Sequence, residues 1–275
     1  LGLRNLDPFQ LDSIIIAAAG VINSDKGLVT ASPNLPGWYD IPLRDIVEEK
    51  YKINTFLIND ASAAALGEHH FGAGRGVNNL IYLTVSTGIG GGIIINGRLY
   101  LGPCGSAGEV GHMTIDVNGQ RCNCGNIGCW ETLASGTTVA QEAIRRIKQG
   151  EGSSLTEIVE GRLESTTAEE VSLAAQGGDS LALEVISRVA TYLGVGMVNL
   201  VNIFNPEMII VGGGVAKMGD LLLNPARQIV KERAFSIAAQ AVRIVPAQLG
   251  DDAGVLGAAV FARQQNWLGE QNEGS

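Results

Sequence analysis

Apolar residues fall along this chain in short blocks divided by glycines and polar turns, and the spacing within the blocks alternates between strand-like and helix-like. Residues 13–19, closed by Gly20, read as a buried strand. Asn23-Ser24-Asp25-Lys26-Gly27 then read as a hairpin turn into a second strand near residues 28–31. Pro42 opens a helix through Tyr51, with Asp45, Glu48 and Glu49 inside it. Residues 55–58 form a strand, and Asn59-Asp60 cap an alanine-rich helix to about Phe71. Residues 80–85 and 91–95 are further strands, and Asn96-Gly97 is a strong hairpin turn into residues 98–101.

Helical spacing dominates after residue 136. Val139, Ile144 and Ile147 mark a helix over 137–148 that stops at Gly150, and shorter helices follow over 154–160 and 167–176. Asp179 caps a long helix to about Phe204 whose last two turns are nearly all apolar, so it belongs in a core. Gly194 and Gly196 inside it cost helix propensity and point to close packing against a neighbour. Residues 207–211 are a strand, 218–234 a helix interrupted near Pro225, 241–245 a strand and 254–263 a final helix. The polar tail after Gln264 is expected to fray. No repeat of solenoid period occurs, and the alternation predicts α/β layers.

Composition narrows the class. The chain has 275 residues, more than one typical core, with 45% hydrophobic residues and no uninterrupted apolar run long enough to span a bilayer. The first residues lack the basic region and cleavage site of a secretory leader. A net charge of −9 opposes non-specific nucleic-acid binding, because phosphates need a basic face. The cysteines are few and clustered, which suits a reducing cytoplasm.

That cluster is the strongest chemical signal. Between Glu109 and Glu131 the chain brings together His112, Cys122, Cys124 and Cys129, interleaved with Gly125 and Gly128. Three thiolates and one imidazole are the ligand set of a closed structural zinc site. The competing reading is a disulfide, although Cys122 and Cys124 are too close in sequence to bridge each other comfortably.

Glycine-rich turns come next. Residues 80–85 run straight into Thr87-Gly88-Ile89-Gly90-Gly91-Gly92, and residues 208–211 into Gly212-Gly213-Gly214; Gly250-Asp251-Asp252-Ala253-Gly254 then opens a helix. Glycines at a strand end let backbone N–H groups approach a phosphate. One such turn alone is ordinary turn chemistry, and neither run matches a Walker A or Rossmann pattern. Asn59-Asp60 has a plain reading as a helix cap and a sharper one, in which Asp60 is a general base at the carboxyl end of a strand. The two are compatible.

Asn34-Leu-Pro-Gly-Trp38, Asn59-Asp-Ala-Ser-Ala-Ala-Ala65, Ser86-Thr-Gly-Ile-Gly-Gly-Gly92, Gly108-Glu-Val-Gly-His112 and the run Cys122 to Glu131 together resemble the ROK family of bacterial sugar kinases and sugar-responsive repressors. The resemblance covers about residues 14–262. It implies an α/β, two-domain actin-like ATPase (ribonuclease H-like) fold. Residues 1–76 plus about 253–275 would form a small domain, and residues 77–252 a large one carrying the zinc loop. By position, Asp60 resembles the catalytic base, and Asn34, Asn59, Asp60, Glu109, His112 and Glu131 resemble the sugar ligands. Thr87, Gly88, Gly90 and Gly91 resemble the second phosphate loop, and Gly212, Gly213 and Gly214 the adenosine-side turn.

The implied activity is an ATP-dependent hexose kinase, glucokinase-like on the strength of residues 34–38, using Mg-ATP as co-substrate. N-acetylmannosamine or fructose kinase stays open within that class. The family also implies a homodimer. A closed zinc would fix the His112 imidazole and so orient a sugar ligand, without activating water. Two alternatives stand beside the kinase: a sugar-sensing repressor with its DNA-binding segment upstream, and a sugar-binding protein without turnover.

Two departures from the family pattern qualify this. Its kinases open with a strand carrying Asp-x-Gly-Gly-Thr, and no such segment occurs here. The expectation is therefore an amino-terminally truncated chain, with the first strands of the small domain missing, the strand over 13–19 short of a partner, and weak or absent kinase activity. Ala19 stands where the family has Pro, which alters only the stiffness of that turn.

Overall fold

A computed structural model describes residues 11–32 and 37–272 of the chain. Strand β1 (Ile14–Ala18) leads into a hairpin of β2 (Val21–Asn23) and β3 (Leu28–Ala31), followed by β4 (Tyr39–Ile41), helix α1 (Leu43–Tyr51), β5 (Thr55–Asn59) and α2 (Asp60–Phe71). β1 runs parallel to β5, Ile16 opposite Leu57 and Ala18 opposite Asn59. Among the described residues its other edge pairs with no strand. β2, β3 and β4 form a separate antiparallel sheet, in which β4 was not expected from the sequence. Its three residues are too few for an alternation to show, and pairing with β3 is what makes them a strand. Ile22 and Val29 of that sheet bury against Leu57 of β5.

The rest of the chain builds a mixed sheet and its helices. β6 (Leu80–Val85), β7 (Ile89–Ile95) and β8 (Arg98–Leu99) form a meander whose turn residues Asn96 and Gly97 have φ of 52° and 74°. These left-handed values are those of a two-residue hairpin turn, as the Asn-Gly pair predicts. Helices α3 (Glu131–Ala134), α4 (Gly136–Lys148), α5 (Leu155–Ile158), α6 (Ala168–Gln176) and α7 (Ser180–Phe204) follow. The chain closes with β9 (Met208–Gly212), α8 (Asp220–Arg233), α9 (Ser236–Ala241), β10 (Arg243–Pro246) and α10 (Ala253–Asn272). The sheet order is β10-β9-β6-β7-β8, with β10, β9 and β6 parallel and the two β7 pairings antiparallel.

Both faces of this sheet are covered, which is why β6 and β9 read as continuous apolar runs rather than alternating ones. Ile81, Leu83, Ile209 and Val211 face α7, where Leu193, Met197 and Val201 are fully buried. Leu80, Tyr82 and Ile210 face α2 and α10, meeting Ala63, Leu66 and Phe261. α7 is long and apolar enough to cross a membrane, yet most of its apolar window is buried in this core. Its two glycines are explained by contact: a Cβ at Gly196 would stand 2.0 Å from the buried Trp130 ring, and one at Gly194 2.6 Å from Ile229.

Three expectations are corrected. The segment before β10 is helical over 236–241, so the strand begins at Arg243 rather than at 241. The helix of residues 218–234 starts only at Asp220, because Val215–Met218 form a separate 3-10 turn ending in Gly219 at φ 60°. The final helix does not fray after Gln264 but continues to Asn272. α2 packs directly on β6 and β7, across the boundary expected at 76/77.

Candidate active site

Asp60 stands at the first position of α2, immediately after β5. Asn59 caps the helix, its Oδ1 accepting the Ser62 N–H at 3.0 Å, while its Nδ2 donates to the Gly20 carbonyl at 3.2 Å. Asn59 thus ties the base of the helix to the end of β1, with one donor hydrogen and one lone pair to spare. The Asp60 Oδ1 accepts the N–H of Ala61 at 2.8 Å. Its surface opens to solvent, but the protein crowds the carboxyl on its other sides, and burial raises its pKa above the usual aspartate value despite that backbone contact. Asn34, expected beside it, lies outside the described residues.

Glu109, His112 and Glu131 converge on the same place. Val110–His112 form a 3-10 turn, and the Glu109 Oε2 lies 3.9 Å from the His112 Nε2. Burial raises the Glu109 pKa, His112 opposes the rise, and the neighbouring carboxylates of Asp60 and Glu131 add to it. Asp60, His112 and Glu131 all lie within electrostatic reach of Glu109, and together they make an acceptor-rich site.

The other face of His112 belongs to the cysteines. Its Nδ1 stands 3.7 Å from the Cys122 Sγ, and the Cys124 and Cys129 Sγ atoms are 3.6 Å apart. All four ligand atoms lie within 4.8 Å of one another, so the cluster could hold one metal ion. A tetrahedron with metal–sulfur bonds of about 2.3 Å has edges of about 3.8 Å, close to the observed separations. The sulfurs are far beyond the ~2.05 Å of a disulfide, and all four cysteines are free. Burial pushes the Cys129 thiol up to about 12 and raises that of Cys122; a bound cation reverses that bias. The Asn126 Nδ2 supports the cluster, lying 3.6 Å from the Cys129 Sγ. Beside it, Trp130 is fully buried and donates its indole N–H to the Tyr192 carbonyl at 2.9 Å, anchoring the loop to α7.

Glu131 reaches beyond the loop. Its Oε2 accepts the backbone N–H of Ile89 at 2.8 Å, and a Cβ at Gly88 would fall 2.1 Å from that oxygen. The Gly136 N–H donates to the Ser86 carbonyl at 2.7 Å, and the Thr137 hydroxyl to the Thr87 carbonyl at 2.7 Å. The glycine-rich turn is thereby fastened to residues 131–137. Its exposed tip is shorter than the sequence suggested: Val85 already pairs with Ile89, which leaves Ser86, Thr87 and Gly88 as the turn. Gly90 and Gly91 sit inside β7. A Cβ at Gly90 would meet Thr84 and Ala61, and one at Gly91 would meet Val110 and the Gly108 carbonyl.

Two cavities flank the turn. One of about 690 Å³ is lined by Ser86, Thr87, Thr137, Gly214 and Lys217 together with α6 residues such as Ser172. The other, about 470 Å³, is lined by Thr84, Ser86, Gly212–214 and the loop at Gly250 and Asp251. Gly212 lies under the Tyr82 hydroxyl and Gly213, at φ 87°, against the Val85 backbone, so Gly214 is the open member of the three. Lys217 lines both cavities and went unnoticed in the sequence; its signal was a cation in the short turn after three glycines.

The ROK family matches residues 5–265. The chain is 42% identical over 266 residues to a glucokinase of Halalkalibacterium halodurans, covering 96% of this chain and 80% of that protein. It is 39% identical over 256 residues to a xylose repressor of Caldicellulosiruptor bescii, covering 91% of this chain and 62% of the repressor. A crystal structure of a ROK family glucokinase from Streptomyces griseus in complex with glucose and AMPPNP superposes with a TM-score of 0.85 at 36% identity. That match covers 93% of this chain and 82% of the other.

Proposed function

The chain belongs to the ROK family, with its actin-like ATPase fold, and from that premise we propose that it is an ATP-dependent hexokinase of the glucokinase type, moving the γ-phosphoryl group of ATP to a glucose hydroxyl. The observation that carries this is the convergence of Asp60, Glu109, His112 and Glu131 beside a turn that borders two cavities. A hexose presents a ring of hydroxyls that both donate and accept, and carboxylates with an imidazole match it. Asp60, its pKa raised, accepts the proton of the attacking hydroxyl. The N–H groups of Thr87, Gly88 and Gly214, with Lys217, face the phosphates, while Mg²⁺ on the nucleotide balances their charge.

In this reading the ion of the cysteine cluster is zinc. Held by His112, Cys122, Cys124 and Cys129 it would keep no open coordination position, and it would supply rigidity rather than Lewis acidity. With His112 Nδ1 on the cysteine side, Nε2 is left to meet a sugar hydroxyl. Residues 1–76 with 253–275 and residues 77–252 act as two lobes that close on the sugar and exclude water, with α2 and α10 of the first packed on the sheet of the second. Free thiols set around a metal fit a cytoplasmic protein.

The test supplies glucose and γ-labelled ATP to the 275-residue chain, from which weak transfer at most is expected, and to the same chain preceded by the Asp-x-Gly-Gly-Thr strand that the family's kinases carry. Label should appear in a hexose phosphate, and calorimetry should show glucose and AMPPNP binding at separate, mutually reinforcing sites. ATP turnover that ignores every hexose, with no glucose binding, would overturn the reading. A DNA-bound chain released by a sugar it does not phosphorylate would favour the repressors instead.

A further inference from the structure

Glu68 is a carboxylate with no exposed surface, and no cationic side chain pairs with it among the described ion pairs. It sits near the carboxyl end of α2, two turns beyond Asp60 and so about 12 Å further along the helix axis. Its two oxygens accept backbone N–H groups from two distant parts of the chain. Oε2 takes the Ala73 N–H at 2.8 Å, just beyond the end of α2. Oε1 takes the N–H groups of Gln248 at 2.8 Å and Leu249 at 2.7 Å, about 180 residues away in sequence.

Those two amides begin the loop that leads to Gly250 and Asp251, residues that line the 470 Å³ cavity opposite Gly212–214. The same loop is fixed on its other side by the Ala247 N–H donating to the Val211 carbonyl at 2.9 Å, at the end of β9. One carboxylate therefore joins the helix that presents Asp60 to the wall of the cavity. Burying a charge is costly, and three charge-assisted bonds to main-chain donors are what offset it. A neutral amide cannot replace it. Glutamine would turn its own N–H₂ toward either Ala73 or the Gln248 and Leu249 pair, leaving a buried donor facing a donor.

We infer that Glu68 is a positioning residue for the nucleotide: it holds the 247–251 loop against α2, so that the donor phosphates and Asp60 keep a fixed relation. This rests on the reading of the Gly212–214 cavity as the nucleotide site. Hexose contacts lie at the other end of α2 and do not pass through Glu68, so the two ligands should respond differently to its loss.

Calorimetry of the Glu68→Gln chain measures this with AMPPNP and glucose separately. AMPPNP affinity should fall roughly tenfold or more, as expected for losing charge-assisted bonds, while glucose affinity stays within about twofold. Equal loss for both ligands, or none for either, overturns the inference. Should Glu68→Gln fail to fold, hydrogen exchange on the unmodified chain decides: the Gln248 and Leu249 amides should be protected, more so with AMPPNP and not with glucose. Fast exchange at these amides, or no response to AMPPNP, overturns it as well. An unmodified chain that binds no AMPPNP would defeat the kinase reading with it. Normal binding that Glu68→Gln leaves intact defeats the positioning role alone.

Discussion

The Glu131 carboxylate accepts the backbone N–H of Ile89 at 2.8 Å, joining the cysteine loop to the strand that leaves the phosphate-side turn. A side chain proposed to meet the sugar is thus also a fastening of that turn. Glu131→Ala should leave the Ile89 N–H without its acceptor, an effect of about 1–3 kcal/mol if the amide stays buried. Exchange of the Ile89 amide should accelerate at least tenfold, with a fall in both glucose and AMPPNP affinity. An unchanged Ile89 exchange rate in that variant would show that the contact holds nothing.

Asp60 makes a prediction of opposite signs. Asp60→Asn removes the proposed proton acceptor, and phosphoryl transfer should fall by about 10²–10⁴-fold. Burial raises the Asp60 pKa above its unfolded value of about 3.9, so the fold favours the neutral acid. The ionised carboxyl therefore weakens the native state above its folded pKa, and that penalty disappears as pH falls through it. Asn is neutral at every pH. The variant should show a higher Tm than the parent at pH 7, and the two should converge in acid. The rate of the unmodified chain should fall on the acid side at a pH above the ordinary aspartate range. A Tm that drops at pH 7 would contradict the assigned cause of the shift.

The parts of this site that were legible in the sequence are the ones made by near neighbours. Cys122, Cys124 and Cys129 lie within one short loop, and the cap formed by Asn59 on Ser62 spans only three residues. Asn96-Gly97 needs nothing but its own backbone preference. What stayed hidden depends on partners far along the chain. Glu68 reads as one more acid in a helix until the loop at Gln248 folds onto it. Gly91 reads as part of a glycine-rich turn, and only the fold shows Val110 and the Gly108 carbonyl packed where its side chain would stand. β4 and α9 are short segments whose own patterns are weak, so tertiary pairing decides them.

Removing the metal should loosen the sugar site rather than stop the chemistry directly. About one equivalent of zinc per chain is expected, held by three thiolates and the His112 Nδ1. Cys124→Ser should lower the zinc content and cut glucose affinity tenfold or more, because the His112 ring loses the partner that fixes it. AMPPNP affinity should change much less. Metal analysis and calorimetry on the same preparation check this; full glucose affinity in a metal-free chain would refute the positioning role.

The crossing of α2 and α10 offers a comparison within one helix. A Cβ at Gly257 would stand 1.6 Å from the Ala63 carbonyl oxygen, a backbone atom inside α2 that cannot rotate away. Gly257→Ala must therefore push the helices apart and disturb the helix that carries both Asp60 and Glu68. A loss of about 3 kcal/mol is expected, at the upper end for an overpacked core. Gly254, one turn earlier in α10, has nothing within 4 Å of its ideal Cβ and no left-handed φ. There the same substitution only narrows the unfolded ensemble and should stabilise by about 0.4–1 kcal/mol. Denaturant unfolding of both variants gives the two signs directly. If Gly257→Ala proved neutral, α10 could not be packed on α2 as closely as described, and the link between the nucleotide loop and Asp60 would have to run by another route.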